Sequence, residues 1–441
     1  MSRDIVLITV DSLRADHLGC YGYDRDTTPY LDVLAESSHV FSNAFSHACS
    51  TRPSFPSILT STYPEMYGGF EKISERRSLI SEILKDNGYT TACFNSNPFL
   101  SAVFGYNRGF DKFFDFNDEF SLVGKIRDFI KNNVRQYNLL YAFLSWLFSS
   151  VERRTGVEIG SAYVKADVIT DKAIKWVHES KRTAPRFLWI HYMDVHHPYD
   201  PPERYQDAFR EIPVPGKESV RLRRKLLERP AEITDEELEN IIDLYDAEIR
   251  FTDAQINRLI STVKSAWEDP IVVITADHGE EFRDHGRFSH HNTFHDEIIH
   301  VPLIINDDGV KSTQDDMVGL VDVAPTLTDY AGLDIPDEYY GTSIRSILDG
   351  DEKSSKIVGY NFCRSSEWKY ILKEKTQALY NLTDDLDETV DVLEDYEEVA
   401  AELRDHVNHV RDLVKETSEE LGEIEMNENI REKLSLLGYK N

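Results

Sequence analysis

The sequence predicts an α/β protein with a large, mainly parallel or mixed sheet covered by helices on both faces and a small C-terminal α+β subdomain. Short apolar runs rich in β-branched residues alternate with stretches of helical periodicity, which is typical of a sheet buried on both faces. With 441 residues, 41% of them hydrophobic, the chain can bury one large core and a smaller appendage. Charge density rises after about residue 340. We therefore expect a large domain over residues 1–340 and a subdomain over residues 341–441.

The individual elements follow from these patterns. The apolar runs predict buried strands at Ile5–Val10, Thr90–Phe94, Phe187–His191 and Ile271–Thr275. The stretches between them predict helices at Leu79–Asn87, Asp171–Ser180 and Ile241–Val263. The pair Gly88-Tyr89 indicates a helix stop. In the C-terminal part, Trp368–Leu372 and Leu379–Leu382 predict a small antiparallel sheet.

Residues 120–165 interrupt this alternation as an insertion with apolar positions at helical spacing. Its polar face is basic, with Lys125, Arg127, Lys131 and Arg135. Two interpretations stay open: a helical lid or packing hairpin, or a helix that lies on a membrane surface. A second basic run, Arg221 to Lys225, is either a solvated helix face or a surface that gathers anionic substrate.

The charge balance excludes one class of partner. There are 79 acidic and 49 basic residues, for a formal charge of −30. Such a surface repels phosphates, so no nucleic acid is expected as a partner, and it would suit the acidic proteome of a high-salt cytoplasm. The four cysteines form no CxxC pair, which argues against a zinc-thiolate site. With no apolar signal region or membrane-spanning run in view, we expect a cytoplasmic protein, with peripheral membrane association left open.

Carboxylates and imidazoles follow three of the predicted strands. Asp11 ends the first strand, Asp194 and His196 follow the third, and Asp277 and His278 follow the fourth. The carboxyl ends of parallel strands share one crevice, which is where such sheets bind ligands. A lone aspartate at a strand end is usually a helix cap or a turn residue. Several at one edge would repel each other unless a cation lay between them, so the pattern predicts a divalent metal site.

These segments resemble the sulfatase family of the alkaline-phosphatase superfamily. The resemblance is carried, in order along the chain, by Asp11–Gly19, Asp194–Tyr199, Tyr245–Asp253, Ala276–Glu280, Val301–Ile304, Pro325–Leu327, Gly341–Ser343, Leu379–Leu382 and Leu436–Tyr439. It spans nearly the whole chain except residues 120–165 and a stretch near 205–235. It implies an alkaline-phosphatase-like fold, a catalytic domain over residues 1–340 and a metal-dependent ester hydrolase.

The nucleophile position departs from the family pattern. Sulfatases carry a Cys or Ser in C/S-x-P-x-R, which is oxidised to formylglycine. Here the register reads Thr51-Arg52-Pro53-Ser54-Phe55, so Thr51 stands at the nucleophile and Phe55 replaces the arginine. Cys49 lies two residues too early, so formylglycine is not expected. A metal-bound threonine hydroxyl could instead attack sulfur or phosphorus directly.

The resemblance also assigns the remaining site residues. It implies one divalent metal ion, with Ca, Mg or Mn favoured by the oxygen-rich ligand set and Zn or a second metal left open. The implied ligands are Asp11, Thr51, Asp277 and His278. The other implied catalytic residues are His196, as proton donor to the leaving oxygen, and His291, as a substrate contact. Arg52, Asn95 and Asn97 are expected to bind the substrate anion. His285 and His290 are interpreted as loop residues or as residues that support the ligands, and a second metal could recruit one of them.

Three functions remain open at this point. The first is hydrolysis of a sulfate ester through Thr51. The second is a phosphodiester or phosphonate hydrolase or a phosphoglycerol-type transferase, because an ester of threonine must be cleaved by water or passed to an acceptor. The third is a non-catalytic binding protein of the same fold. In the first two cases the partner is an anionic sulfate- or phosphate-ester substrate, and a glycan or a lipid remains open as its carrier.

Overall fold

The computed structural model describes residues 2–115, 163–180, 183–290, 293–307, 310–350, 355–373, 376–419, 426, 430–431 and 433–434. The strands in chain order are β1 (Ile5–Val10), β2 (His39–Phe45), β3 (Thr90–Phe94), β4 (Lys112–Phe114), β5 (Arg186–Tyr192), β6 (Ile271–Ala276), β7 (Glu281–Phe282), β8 (Phe288–Ser289), β9 (Leu303–Asn306), β10 (Ser312–Gly319), β11 (Lys356–Val358), β12 (Phe362–Ser365), β13 (Trp368–Lys373) and β14 (Thr376–Asn381). The α-helices in chain order are α1 (Pro29–Ala35), α2 (Thr51–Thr60), α3 (Ile80–Asp86), α4 (Ala166–Glu179), α5 (Glu203–Gln206), α6 (Gly216–Glu228), α7 (Asp235–Ala266), α8 (Asp296–Ile299), α9 (Val323–Tyr330), α10 (Arg345–Leu348) and α11 (Glu397–Glu416).

Eight strands form the central mixed sheet in the order β10-β2-β9-β6-β1-β5-β3-β4. Strand β1 runs parallel to both of its neighbours, β5 and β6, and all six of its residues are buried. Strand β9 is antiparallel to β6 and β2, which makes the sheet mixed. The expected fold class is therefore confirmed, and each of the four apolar runs forms one of these strands.

The register of the central strands sets the position of the site. Val10, the last residue of β1, pairs with Tyr192 of β5 and with Ala276 of β6. The next residues along the chain therefore leave the sheet side by side. Because all three strands are parallel, their carboxyl ends share one edge, and two of the three deliver a carboxylate there at once.

Local signals explain where the helices begin and end. The capping box of Thr234 and Glu237 starts α7, so the helix begins six residues before the predicted Ile241. Helix α3 ends before Gly88, whose φ of 87° is left-handed, in agreement with the predicted helix stop. The long helix α7 packs against α4 and α1 and covers the sheet.

The C-terminal part carries a second sheet, with the antiparallel order β11-β12-β13-β14, and α11 packs against it. This agrees with the predicted small α+β subdomain. Lys369 of β13 connects this part to helix α8, because its Nζ lies 2.7 Å from Oδ1 of Asp296, the first residue of that helix, and 2.7 Å from Oε1 of Glu388.

The insertion at residues 120–165 lies outside the described residues as far as residue 162, so its expected helices and membrane contact stay predictions. Among the residues that are described, no helix combines the length and apolarity that crossing a bilayer requires.

Candidate active site

Two buried carboxylates meet at the carboxyl edge of the sheet. Asp11 follows β1 and Asp277 follows β6, and neither is exposed to solvent. The backbone N–H of Ser12 donates to Oδ1 of Asp277 over 3.2 Å, and Oγ of Ser12 donates to Oδ1 of Asp11 over 2.9 Å. Ser12 has a φ of 57°, an uncommon left-handed conformation for a residue other than glycine. This turn ties the two aspartates together.

Thr51 brings a hydroxyl to the same point. It is the first residue of α2 and is completely buried. Its Oγ1 donates to Oδ2 of Asp11 over 3.2 Å and lies 3.4 Å from Nε2 of His278. The N-terminal end of a helix carries partial positive charge and unpaired N–H groups, so the hydroxyl stands where an anion is stabilised.

The residues at this point fit a divalent cation. Ligand atoms of Asp11, Asp277 and His278 all lie within 4.8 Å of one another. The ring Nδ1 of His278 lies 2.8 Å from the carbonyl oxygen of Gly279, an arrangement that places the proton on Nδ1 and leaves a lone pair on Nε2. In the described part of the chain, Oδ2 of Asp277 is buried without a hydrogen-bond partner. Two carboxylates, an imidazole lone pair and a hydroxyl form a suitable donor set for such an ion.

The pKa shifts of Asp11 and Asp277 also indicate a cation site. Burial raises the pKa of Asp277 well above its usual range, and the neighbouring charge of Asp11 raises it further. Burial also acts to raise the pKa of Asp11. The hydrogen bond from His191 and the charges of His196 and His278 outweigh that effect, so the pKa of Asp11 falls below its usual range. A cation between the carboxylates would relieve this repulsion.

Asp194 does not join the other two aspartates. Its Oδ1 accepts the backbone N–H of Ala166, the first residue of α4, over 3.0 Å. The expectation that carboxylates from three strands converge is therefore correct for two of them. The third behaves as the helix-capping residue that a strand-end aspartate usually is.

Three imidazoles lie beside this cluster. The ring of His196 lies 4.2 Å from that of His197 and 5.0 Å from that of His290, centroid to centroid. His290 in turn lies 4.4 Å from the ring of His278 and 3.6 Å from the Glu280 carboxylate. Burial lowers the pKa of His196 to about 4, so its ring is neutral at pH 7.

His290 lies beside the cluster, in a position compatible with the supporting role that the sequence analysis left open, whereas His291 was chosen as the substrate contact. His291 lies outside the described residues, so its role stays a prediction. The position of His290 follows from the short hairpin of β7 and β8, in which Phe282 pairs with Phe288. A one-residue difference in a loop register cannot be read from sequence spacing alone.

The structure places the three expected anion-binding residues differently. Asn97 lies in the site, because its Nδ2 donates to Oδ2 of Asp11 over 3.1 Å. Asn95 faces the interior, where its Nδ2 lies 3.4 Å from the carbonyl oxygen of Leu100. Arg52 forms an ion pair with Glu71 and stacks over Phe99 at 4.7 Å, and among the described contacts it does not reach the aspartates.

His191 is a residue of the site that the sequence analysis missed. It lies in β5, fully buried, with Nδ1 2.9 Å from Oγ1 of Thr9 and Nε2 3.4 Å from Oδ2 of Asp11. The available signal was a histidine inside a strand that is otherwise apolar on both faces. Buried imidazoles of this kind need a polar partner, and here Thr9 and Asp11 are the partners.

Comparison with known proteins decides the family. A family model described as Sulfatase matches residues 3–333, about three quarters of the chain. The chain belongs to the sulfatase family. A second model, described as N-sulphoglucosamine sulphohydrolase, C-terminal, matches residues 283–413 of this sulfatase-family protein. The matched ranges include Asp11, Thr51, Asp277 and His278.

Individual relatives of this sulfatase-family protein are distant but nearly full-length. An arylsulfatase of Clostridium perfringens is 26% identical over 422 residues, covering 86% of this chain and 86% of the relative. Mouse arylsulfatase K is 22% identical, covering 91% of this chain and 78% of the relative. Human iduronate 2-sulfatase is 24% identical, covering 76% of this chain and 70% of the relative.

Solved structures show the same fold. A protein in complex with its substrate D-glucosamine-2-N,6-O-disulfate superimposes with a TM-score of 0.73 at 17% identity, covering 96% of this chain and 100% of that one. The phosphonate monoester hydrolase of Agrobacterium radiobacter superimposes with a TM-score of 0.70 at 20% identity, covering 93% of this chain and 96% of that one. Family membership and an intact carboxylate-imidazole cluster identify this sulfatase-family protein as a hydrolase of ester bonds.

Proposed function

We propose that this protein hydrolyses a sulfate ester with Thr51 as the nucleophile and one divalent metal ion as cofactor. The observation that carries the proposal is the position of the Thr51 hydroxyl, 3.2 Å from Asp11 and 3.4 Å from His278, at the start of a helix. Membership in the sulfatase family supports the substrate class. The relatives named as arylsulfatases and iduronate 2-sulfatase support it further.

The metal ion would be held by Asp11, Asp277, His278 and the Thr51 oxygen. When bound, such an ion lowers the pKa of a coordinated hydroxyl and offsets negative charge on the substrate. The four residues come from three separate elements, β1, α2 and the end of β6, so the fold itself fixes their spacing. The ligand set, mostly oxygen, favours Ca, Mg or Mn over Zn.

The residues of the chain account for the remaining chemistry. The Thr51 oxygen attacks sulfur, a new O–S bond forms, and the S–O bond to the leaving alcohol breaks. The backbone N–H groups at the start of α2 and the amide of Asn97 stabilise the charge on the sulfuryl oxygens. Water then cleaves the threonine ester and releases sulfate, which restores the hydroxyl.

His196 is suited to move the proton in this reaction. Its Nδ1 lies 2.5 Å from the carbonyl oxygen of His197, which places the ring proton on Nδ1. Because burial keeps the ring neutral, Nε2 accepts the proton that the Thr51 hydroxyl releases as it attacks, and then gives that proton to the leaving alcohol oxygen. His290, which contacts His196 and His278, is the imidazole that we expect on the substrate side of the site.

Hydrolysis of a phosphonate or phosphodiester is the second candidate. It is favoured by the nucleophile, because a threonine hydroxyl with Phe55 in place of an arginine departs from the formylglycine motif. A phosphorylated threonine is cleaved by water through ordinary in-line attack. The fold shared with the phosphonate monoester hydrolase of Agrobacterium radiobacter is compatible with this alternative.

A substrate panel tests both candidates. Purified protein would be assayed with 4-nitrophenyl sulfate, bis(4-nitrophenyl) phosphate and 4-nitrophenyl phenylphosphonate, each with Ca²⁺, Mg²⁺, Mn²⁺ or Zn²⁺. We expect the highest kcat/KM for the sulfate ester, whereas a preference for either phosphorus ester would establish the second candidate. If none of the esters is cleaved with any of the ions, hydrolysis of these aryl esters is excluded, and the sulfated sugars used below become the remaining test of sulfate-ester hydrolysis.

The variants of Thr51 test the nucleophile. We expect Thr51→Ala to lower kcat on the order of a thousandfold or more, and Thr51→Ser to retain measurable turnover because it keeps the hydroxyl. Thr60→Ala is a matched control, since Thr60 is also buried in α2 but its Oγ1 binds the carbonyl oxygen of Pro56. Undiminished turnover by Thr51→Ala would show that another group attacks.

A further inference from the structure

Helix α6 carries five basic side chains. Lys217 is exposed, and three of the other four have carboxylate partners. Arg221 lies 2.8 Å from Glu237, Lys225 lies 2.5 Å from the same residue, and Arg224 lies 3.0 Å from Glu228. These three form the ordinary ion pairs of a helix surface in an acidic protein. Arg223 is the fourth, and its surroundings are different.

Arg223 is half-buried and uncompensated. In the part of the chain that the structure describes, it makes no hydrogen bond or ion pair, and its Nε is buried without a partner. Burial lowers the pKa of Arg223 from its usual value, and no carboxylate is among the groups that oppose this change. A cation removed from water without an anion costs free energy, so the described residues by themselves give no reason for its presence.

The position of Arg223 connects it to the active site. Arg223 lines a pocket together with His197, Pro198 and Tyr199, and its charge helps to lower the pKa of the His197 ring. The His197 ring lies 6.1 Å from that of His290. His290 in turn contacts His278 of the carboxylate-imidazole cluster. Arg223 therefore lies next to His197, and His197 and His290 connect it to the carboxylate-imidazole cluster.

We propose that Arg223 binds a second anionic group of the substrate, a sulfate or other oxyanion separate from the one that is cleaved. The inference rests on the proposed function, because it places the scissile sulfate at Thr51. A guanidinium binds carboxylates and tetrahedral oxyanions such as phosphate through two parallel N–H donors, and sulfate offers the same arrangement of oxygens. The chain has a net charge of −30, so most of its surface repels anions. A cation near the site that has no carboxylate partner among the described residues would favour a substrate with two negative groups over one with a single negative group.

Binding of two sugars tests the proposal. The affinities of glucosamine 6-sulfate and of glucosamine 2-N,6-O-disulfate would be measured by calorimetry with 5 mM Mn²⁺, in a Thr51→Ala background that prevents turnover. We expect the disulfate to bind about tenfold more tightly or better, the size of a charged hydrogen bond. Adding Arg223→Leu should remove this preference and leave the affinity for the monosulfate within about twofold, while Arg223→Lys should retain part of it.

Arg224→Leu is the control, since Arg224 is the exposed neighbour that pairs with Glu228. It should leave the preference unchanged. We also expect Arg223→Leu to keep or raise Tm, because it removes a half-buried charge without a partner, whereas a structural role would lower Tm. Absence of a preference for the disulfate, including failure of both sugars to bind, or a preference that survives Arg223→Leu, overturns the proposal. Turnover of both sugars by the unmodified protein is measured in a separate assay. Absence of turnover would count against sulfate-ester hydrolysis, whereas the role of Arg223 is decided by the binding comparison alone.

Discussion

The hydroxyl oxygen of Thr51 lies 3.2 Å from Oδ2 of Asp11, although 40 residues separate the two along the chain. Asp11 ends the central strand β1, and Thr51 starts the helix that follows β2. Both are fully buried, and Nε2 of His278, which lies 227 residues further along the chain than Thr51, is 3.4 Å from the same hydroxyl oxygen. Because the contact joins three separate elements, changes at any of them should alter metal binding and catalysis together.

Asp277→Asn should separate metal binding from folding. The substitution keeps an oxygen for the N–H of Ser12 but removes one of two buried negative charges, so we expect Tm in EDTA to be unchanged or higher. With Mn²⁺ at about a hundredfold above its Kd, the unmodified protein should gain about 3 kcal/mol in the free energy of unfolding. The Asp277→Asn variant should gain little free energy of unfolding when Mn²⁺ is added. Thermal unfolding with and without metal measures both the Tm in EDTA and the metal-induced gain in stability. The exposed Asp337→Asn serves as control. An equal metal-induced gain in the Asp277→Asn protein would contradict the ligand assignment.

Gly279→Ala should disturb the site through the backbone. A Cβ at this position would lie 2.1 Å from the carbonyl oxygen of Glu297, which cannot move away without shifting α8. The carbonyl of Gly279 also fixes the ring of His278. We expect a loss of about 1–3 kcal/mol in the free energy of unfolding and a lower kcat. Gly216→Ala, where a Cβ meets no atom within 4 Å, should be neutral or slightly stabilising in urea unfolding.

Lys369→Met should weaken the attachment of the C-terminal sheet. Lys369 is fully buried between Asp296 and Glu388, so its substitution removes a buried cation that both carboxylates share, while Arg364 still pairs with Asp296. Breaking a buried pair in this way costs about 3 kcal/mol, which urea unfolding would detect. Lys415→Met removes an exposed pair with Asp412 and should cost less than about 1 kcal/mol. Equal effects of the two substitutions would be inconsistent with a joining role for Lys369.

His285 should make stability depend on pH above neutrality. Burial alone would lower the pKa of His285, but the hydrogen bond and charge of Glu297 and the contacts with Glu388 raise it from 6.5 to about 9. The ring also stacks on His295 at 3.7 Å. A histidine whose pKa is raised by folding stabilises the protein fully below pH 6.5, and this contribution is lost as the pH rises through about 9.

The variant His285→Gln checks this assignment. The difference in Tm between the unmodified protein and the variant should be largest at pH 6 and should shrink by pH 10. His178→Gln changes an exposed histidine of α4 and should give no such trend. A Tm difference that stays constant from pH 6 to pH 10 would show that the His285 ring does not titrate in this range.

In the eight-stranded sheet, the strands that the sequence predicts have side chains buried on both faces. β1 and β6 are continuous apolar runs, and a strand in the middle of a covered sheet has to be apolar throughout. The edge strand β10 was not predicted, because its burial alternates and its first half, Ser312–Asp316, is polar. The two-residue strands β7 and β8 are too short for any periodicity to be visible.

The site residues also differ in how far the sequence could predict their positions. Asp11, Asp277 and His278 could be predicted to meet, because each directly follows a strand and parallel neighbours share an edge. Asp194 also follows a strand, but a free helix N-terminus lies next to it and takes its carboxylate. Whether a strand-end aspartate caps a helix or faces a metal depends on which element packs beside it, and the sequence does not carry that information.

The sequence by itself determined the α/β architecture, the central strands and the carboxylate-imidazole motif, because apolar periodicity and the residue that follows a strand are local properties. Only the tertiary structure decided which side chains from distant elements share one space. It brought Thr51 and Asn97 to Asp11, turned Asn95 inward and directed Arg52 to Glu71. It also left Arg223 without a carboxylate among the described residues while its neighbours on α6 were paired. Side-chain direction is set by packing between elements, and that packing is a property of the folded chain as a whole.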